Sequence, residues 1–130
     1  MNLMSRRHVL LLVEDDPLLM GLYKTAFEKQ GLEVEVAHNG EEGLKKIEER
    51  MPDMVVLDML MPGIDGLEVL RRIRSNPKTK DIKVAILTVV NTAEVKEKAR
   101  ALGAVDYLIK SDLELHQIVE RVMALLDKVD

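Results

Sequence analysis

Short apolar runs alternate with longer stretches of helical period five times along this chain. Val9-Leu-Leu-Leu-Val13, Met54-Val-Val-Leu57 and Val84-Ala-Ile-Leu87 are continuously apolar. Strands buried on both faces at the centre of a parallel sheet read this way. Glu33-Val-Glu-Val-Ala37 alternates polar with apolar, which suits an edge strand with one face nearer water. Val105 to Ile109 reads as a fifth strand of mixed character.

The stretches between them carry helix punctuation. Asp16-Pro17 sets a capping acid before a proline, a favoured helix opening. Leu19, Leu22, Tyr23, Ala26 and Phe27 then form an apolar stripe that Gly31 ends. A second helix is predicted from Asn39 or Gly40, burying Leu44, Ile47 and Met51, and a third from near Asp65, with Leu67, Leu70 and Ile73 inward and a stop before Pro77. The fourth opens near Asn91 or Thr92 and buries Val95, Ala99 and Leu102. The last opens with the capping-box pattern Ser111-Asp-Leu-Glu114 and continues on Leu115, Ile118, Val119, Val122 and Leu126. Five strands, each followed by a helix, predict an α/β fold: a doubly wound five-stranded parallel sheet with right-handed crossovers. With the apolar strands central and the second strand at an edge, the expected strand order is 2-1-3-4-5, the flavodoxin-like order.

Length and composition narrow the class. The 130 residues fit one domain, 1–130, with residues 1–7 expected to be a flexible N-terminal segment. Apolar residues make up 47% and aromatics only 2%, so the core must be built from Val, Leu, Ile, Met and Ala, with the eight methionines as filler. A balance of 19 basic and 23 acidic residues, net −4, argues against a broad nucleic-acid-binding face. There is no cysteine, which excludes disulfides, thiol catalysis and Cys-ligated zinc. The apolar run after Arg6-Arg7 is too short for a signal peptide and no segment has the length of a membrane span, so a cytoplasmic protein without membrane insertion is expected.

The chemistry collects where strands end. The first runs into Glu14-Asp15, the third into Asp58, the fourth into Thr88 and the fifth into Lys110. In a parallel sheet those ends share one edge, where open α/β folds place their ligands. Closely packed carboxylates repel one another, and a cation relieves this. Hard oxygen ligands suit Mg²⁺ or Mn²⁺, and no His or Cys stands at these ends to favour zinc. A divalent ion and Lys110 would bring Glu14, Asp15 and Asp58 near neutrality. An aspartate can attack phosphorus and carry the group as an acyl phosphate. Asp58, ending the middle strand, is the candidate nucleophile, with Lys110 neutralising charge and Thr88 donating a hydrogen bond to the transferred group.

The segments LLLVEDDP, VVLDMLMPGIDGLEVL, AILT and GAVDYLIK, in this order and spacing, resemble the receiver domain of bacterial response regulators over nearly the whole chain. The resemblance implies a phosphoacceptor at Asp58 and an acidic pair, with Asp15 touching the metal directly and Glu14 through water. It adds the backbone carbonyl of Leu60 as a metal ligand, makes Thr88 and Tyr107 a switch pair, and makes Lys110 the phosphate-contacting lysine. It also implies a histidine kinase or histidine phosphotransfer protein as donor. The readout would fall on the face formed by the fourth helix, fifth strand and last helix, through a downstream protein, a further relay step or homodimerisation.

Two departures stand out. The lysine is followed by Ser111 where many receivers have a proline joined through a cis bond. A cis peptide before serine costs about 3–4 kcal/mol, so a trans bond is expected, with Ser111 capping the last helix and the loop reshaped. Val89 follows the threonine, where a small residue is usual, and Leu60 is also apolar. Both are expected to restrict attacking water and lengthen the life of the acyl phosphate. These departures keep a second function open, a constitutive protein-binding module that no longer uses phosphorylation. A nucleotide-binding enzyme of similar topology would need a Gly-rich loop after the first strand, where acids stand instead. Asp16 reads as a helix cap, and Pro62-Gly63 and Asp65-Gly66 as turn and cap chemistry beside Asp58. His8, His38 and His116 read as ordinary surface residues, and Lys78-Thr-Lys80 as a solvated loop.

Overall fold

The computed structural model describes residues 7–127, so the expected flexible segment 1–7 lies outside the described residues apart from Arg7. Strands β1 (Val9–Val13), β2 (Glu33–Ala37), β3 (Met54–Leu57), β4 (Lys83–Thr88) and β5 (Asp106–Ile109) alternate with helices α1 (Pro17–Glu28), α2 (Gly40–Arg50), α3 (Gly66–Ser75), α4 (Ala93–Ala101) and α5 (Leu115–Asp127). All strand pairs are parallel and the order is β2-β1-β3-β4-β5, as expected.

Strand periodicity sorts the core into two layers. Leu10, Leu12, Met54, Val56, Ala85, Leu87 and Leu108 face α1 and α5, where Met20, Tyr23, Phe27, Ile118, Val122 and Leu126 meet them. Their neighbours Leu11, Val13, Val55, Leu57, Val84 and Ile86 face the other way, onto Ile47, Val69, Leu70, Ile73 and Ala99 of α2, α3 and α4. Each fully buried aliphatic side chain contributes about 1.5–3 kcal/mol.

Several local expectations are corrected. In α1 the buried row is Met20, Tyr23 and Phe27, and Leu22 is 49% exposed, on the rim of the groove between α1 and α5. In α2 the buried residues are Gly40, Gly43 and Ile47; Leu44 is half-buried and Met51, at the C-cap, is exposed. A Cβ at Gly43 would lie 3.1 Å from the Val13 side chain, so the helix nears the sheet through glycine and not through leucine. In α4 only Ala99 is buried, with Val95 and Leu102 partly so. Strand β4 is longer at both ends than expected, and β5 begins at Asp106 with Val105 exposed.

The start of α5 differs most. Ser111 does not cap it, because residues 110–112 form a turn and the helix begins at Leu115. Glu114 occupies the cap position, and its N–H donates to Gln117 Oε1 at 2.8 Å, the reciprocal half of a capping box. The Lys110–Ser111 peptide is trans, as expected. Thr79 is not solvated: it is buried and its hydroxyl donates to the Ile73 carbonyl at 2.7 Å. The three histidines are exposed, as expected. Met20, Met54 and Met59 fill the core.

Candidate functional site

The register brings the polar strand ends together. Val13 pairs with Leu57 in the sheet, so Glu14 and Asp58 leave adjacent strands at the same level. Backbone bonds carry the ladder beyond the strands: Glu14 N–H donates to Ala37 at 3.0 Å, Asp58 N–H to Val13 at 3.2 Å and Lys110 N–H to Thr88 at 2.8 Å. The residues following the apolar runs are thus held by the sheet, not by loose loops.

Glu14 is 2% exposed and Asp58 5% exposed, and each of their four carboxylate oxygens accepts a hydrogen bond. Lys110 Nζ donates to Glu14 Oε1 at 2.6 Å and to Asp58 Oδ2 at 2.9 Å. The other oxygen of Glu14 accepts from the Asp16 N–H at 3.0 Å, and Asp58 Oδ1 accepts from the Leu60 N–H at 3.1 Å. Burial pushes the Glu14 carboxyl above its ordinary range, against the opposing pull of Lys110 and the Asp16 amide. At Lys110 burial works downward, but hydrogen bonds to Glu14 and Asp58 and their charge outweigh it and hold the ammonium above its ordinary value.

Asp15 completes the group. It is exposed, and its carboxylate makes no hydrogen bond or ion pair among the described residues. One oxygen each from Glu14, Asp15 and Asp58 can be chosen so that all three lie within 4.8 Å of one another. Two buried carboxylates and one free exposed carboxylate make an all-oxygen donor set of the kind a hard divalent cation takes. The donor chemistry fits Mg²⁺ or Mn²⁺.

Thr88 is fully buried at the end of β4, and its hydroxyl accepts from the Val90 N–H at 3.4 Å. Tyr107 donates its phenolic hydrogen to the Val90 carbonyl at 2.8 Å. Burial, and after it the charge of Asp58, raise the Tyr107 phenol above its ordinary value. One residue, Val90, therefore joins both members of the expected switch pair through its N–H and its carbonyl. That contact was invisible in the sequence, because it is made by a backbone group. Leu60 is 56% exposed and Val89 is 54% exposed. The grooves of about 590 and 790 Å³ lie elsewhere, between α2 and α3 and between α1 and α5.

Residues 10–123 match the family model described as response regulator receiver domain. The chain belongs to the response regulator receiver family. Among curated relatives the receiver is similar to transcriptional regulatory protein TrcR of Mycobacterium tuberculosis, 39% identical over 89% of this chain and 44% of that protein. It is also similar to phosphate regulon transcriptional regulatory protein PhoB of Rhizobium meliloti, 33% identical over 88% and 50%. The receiver thus spans about half the length of the curated relatives it matches. Among solved structures it is similar to the receiver domain of the Francisella response regulator 1452, 30% identical with a TM-score of 0.83, covering 92% of this chain and 97% of that one. A CheY-like receiver domain protein from Methanospirillum hungatei, 26% identical with a TM-score of 0.86, covers 94% and 95%. Among the described residues no helix is long and apolar enough to cross a membrane.

Proposed function

We propose that this receiver, one domain over residues 1–130, accepts a phosphoryl group on Asp58 from a histidine kinase or histidine phosphotransfer protein in the cytoplasm. The observation that carries this reading is the Lys110 ammonium bridging Glu14 and Asp58, with Asp15 free beside them. The carboxylate oxygen of Asp58 forms the new bond to phosphorus as the phosphorus–nitrogen bond of a phosphohistidine breaks; the bonding pair stays on the imidazole nitrogen, and the ring takes one proton from solvent to leave as neutral histidine. Lys110, 2.9 Å from Asp58, sets a fixed positive charge where negative charge gathers on the transferred oxygens. The Leu60 N–H keeps the Asp58 carboxylate from rotating during the transfer. Glu14, Asp15, Asp58 and the Leu60 carbonyl would hold Mg²⁺, which when bound supplies further neutralisation of the phosphoryl oxygens.

Thr88 then turns its hydroxyl to the phosphoryl group and releases the Val90 N–H. Tyr107 follows inward, and the face of α4, β5 and α5 changes for a downstream protein, a relay step or a second copy. In the competing reading, a constitutive binding module, Asp58 takes no phosphoryl group. Mass spectrometry after acetyl phosphate treatment separates the two: the wild type gains one phosphoryl mass and Asp58→Asn gains none. A wild type that stays unmodified, with no Mg²⁺-dependent beryllofluoride binding, overturns the proposal.

A further inference from the structure

The loop that carries Asp58 is closed by Gly66, the first residue of α3. Its N–H donates to the Met59 carbonyl at 3.0 Å, which pins the start of the helix to the residue after the phosphoacceptor. A Cβ built on Gly66 would lie less than 3.0 Å from the carbonyl oxygen of Asp58 and 2.8 Å from Cα of Met59. Both neighbours are backbone atoms held on their other side, Asp58 through its N–H to Val13 and through Oδ1 to the Leu60 N–H. The Met59 methyl, 2.6 Å away, is a flexible side-chain end that could give way, but these two backbone contacts are not. A side chain at position 66 must displace the start of α3 or the peptide between Asp58 and Met59, and it is that peptide which aims the Asp58 carboxylate and the backbone of Leu60.

We infer that Gly66 is a positioning residue for the phosphoacceptor site: the direct seat of α3 on the Asp58–Met59 backbone holds Asp58 and Leu60 in the geometry that binds the divalent ion. The inference rests on the reading of Glu14, Asp15 and Asp58 as the metal site. Asp65 supports the same seat, because its Oδ1 caps α3 by accepting from the Glu68 N–H at 2.9 Å.

The test is titration with Mg²⁺ alone, followed by calorimetry or by backbone amide shifts, on the full chain. Gly66→Ala is expected to raise the Mg²⁺ Kd about tenfold or more, the range found when groups that orient metal ligands are lost. Val122→Ala, a buried position on α5 outside the site, controls for lost stability and is expected to stay within about twofold of wild type. Should Gly66→Ala not fold, Asp65→Ala frays the first turn of α3 without adding bulk and is expected to raise Kd about threefold. A wild type that binds Mg²⁺ while the folded variant, Gly66→Ala or Asp65→Ala, binds it equally well overturns the assignment of Gly66. An equal loss in Val122→Ala does the same. A wild type that binds no Mg²⁺ overturns the reading of the site, and the assignment with it.

Discussion

At the scale of single residues the Asp58 carboxylate is nearly sealed while its neighbours are not. Leu60, two residues past Asp58, and Val89, one past Thr88, are 56% and 54% exposed. Hydrolysis of the acyl phosphate needs a water that forms a bond to phosphorus while the bond to the Asp58 oxygen breaks. Neither side chain, leucine or valine, offers that water a hydrogen bond. Leu60→Asn combined with Val89→Ala is therefore expected to speed loss of the phosphoryl group about tenfold, a barrier change of about 1.4 kcal/mol. The decay of phosphorylated protein after removal of the donor measures it, and an unchanged rate refutes the shielding role. The strand-end residues were legible because each follows an uninterrupted apolar run that fixes where its strand stops. Gly66 was read only as turn chemistry, since a glycine carries no chemistry of its own and its seat exists only once α3 lies on the Asp58 backbone.

At the scale of elements, β4 and β5 are joined through Val90, whose N–H serves Thr88 and whose carbonyl serves Tyr107. If Tyr107 must give up that hydrogen bond to turn inward, the bond favours the unphosphorylated form by about 1 kcal/mol. Tyr107→Phe is then expected to bind beryllofluoride with Mg²⁺ about fivefold more tightly than wild type. A weaker affinity in the variant would mean that the hydroxyl stays engaged in the activated form. The start of α5 gives a second, structural prediction. Replacing Gln117 with Ala removes the acceptor of the Glu114 N–H and is expected to cost about 1 kcal/mol in urea unfolding, whereas Ser111→Ala leaves the midpoint in place. Equal losses in both variants would restore Ser111 as the cap. The strands were legible nearly to the residue, and so were the buried faces of α3 and α5, whereas those of α2 and α4 were legible only in part. The periodicity of α2 counts Leu44, Ile47 and Met51, but only Ile47 of these is buried; the rest of the buried row is Gly43, against Val13 of the sheet, and Gly40, against Val69 and Ile64, glycines that hydrophobicity does not mark.

At the scale of the whole molecule, two apolar layers support one polar edge. The sheet packs α1 and α5 on one face and α2, α3 and α4 on the other, and the carboxylates gather where neither layer covers the strand ends. That edge opposes folding: Glu14 and Asp58 are buried side by side, and their repulsion is offset by Lys110 and by the N–H groups of Asp16 and Leu60. A ligand that binds only the assembled edge stabilises the entire fold by mass action, because the unfolded chain holds no such arrangement. With Mg²⁺ at ten times its Kd the gain is about 1.4 kcal/mol, which in a domain of this size raises Tm by about 4–6 °C. Asp15 is the carboxylate to remove in a test, since it is exposed and its carboxylate has no hydrogen bond or ion pair among the described residues. Asp15→Asn is therefore expected to melt close to wild type without metal and to lose most of the Mg²⁺-dependent rise. Thermal melts of both proteins with and without Mg²⁺ decide the matter. Equal rises in the two would place the cation elsewhere on the surface, and the acidic edge would then be no more than a strained end of the sheet.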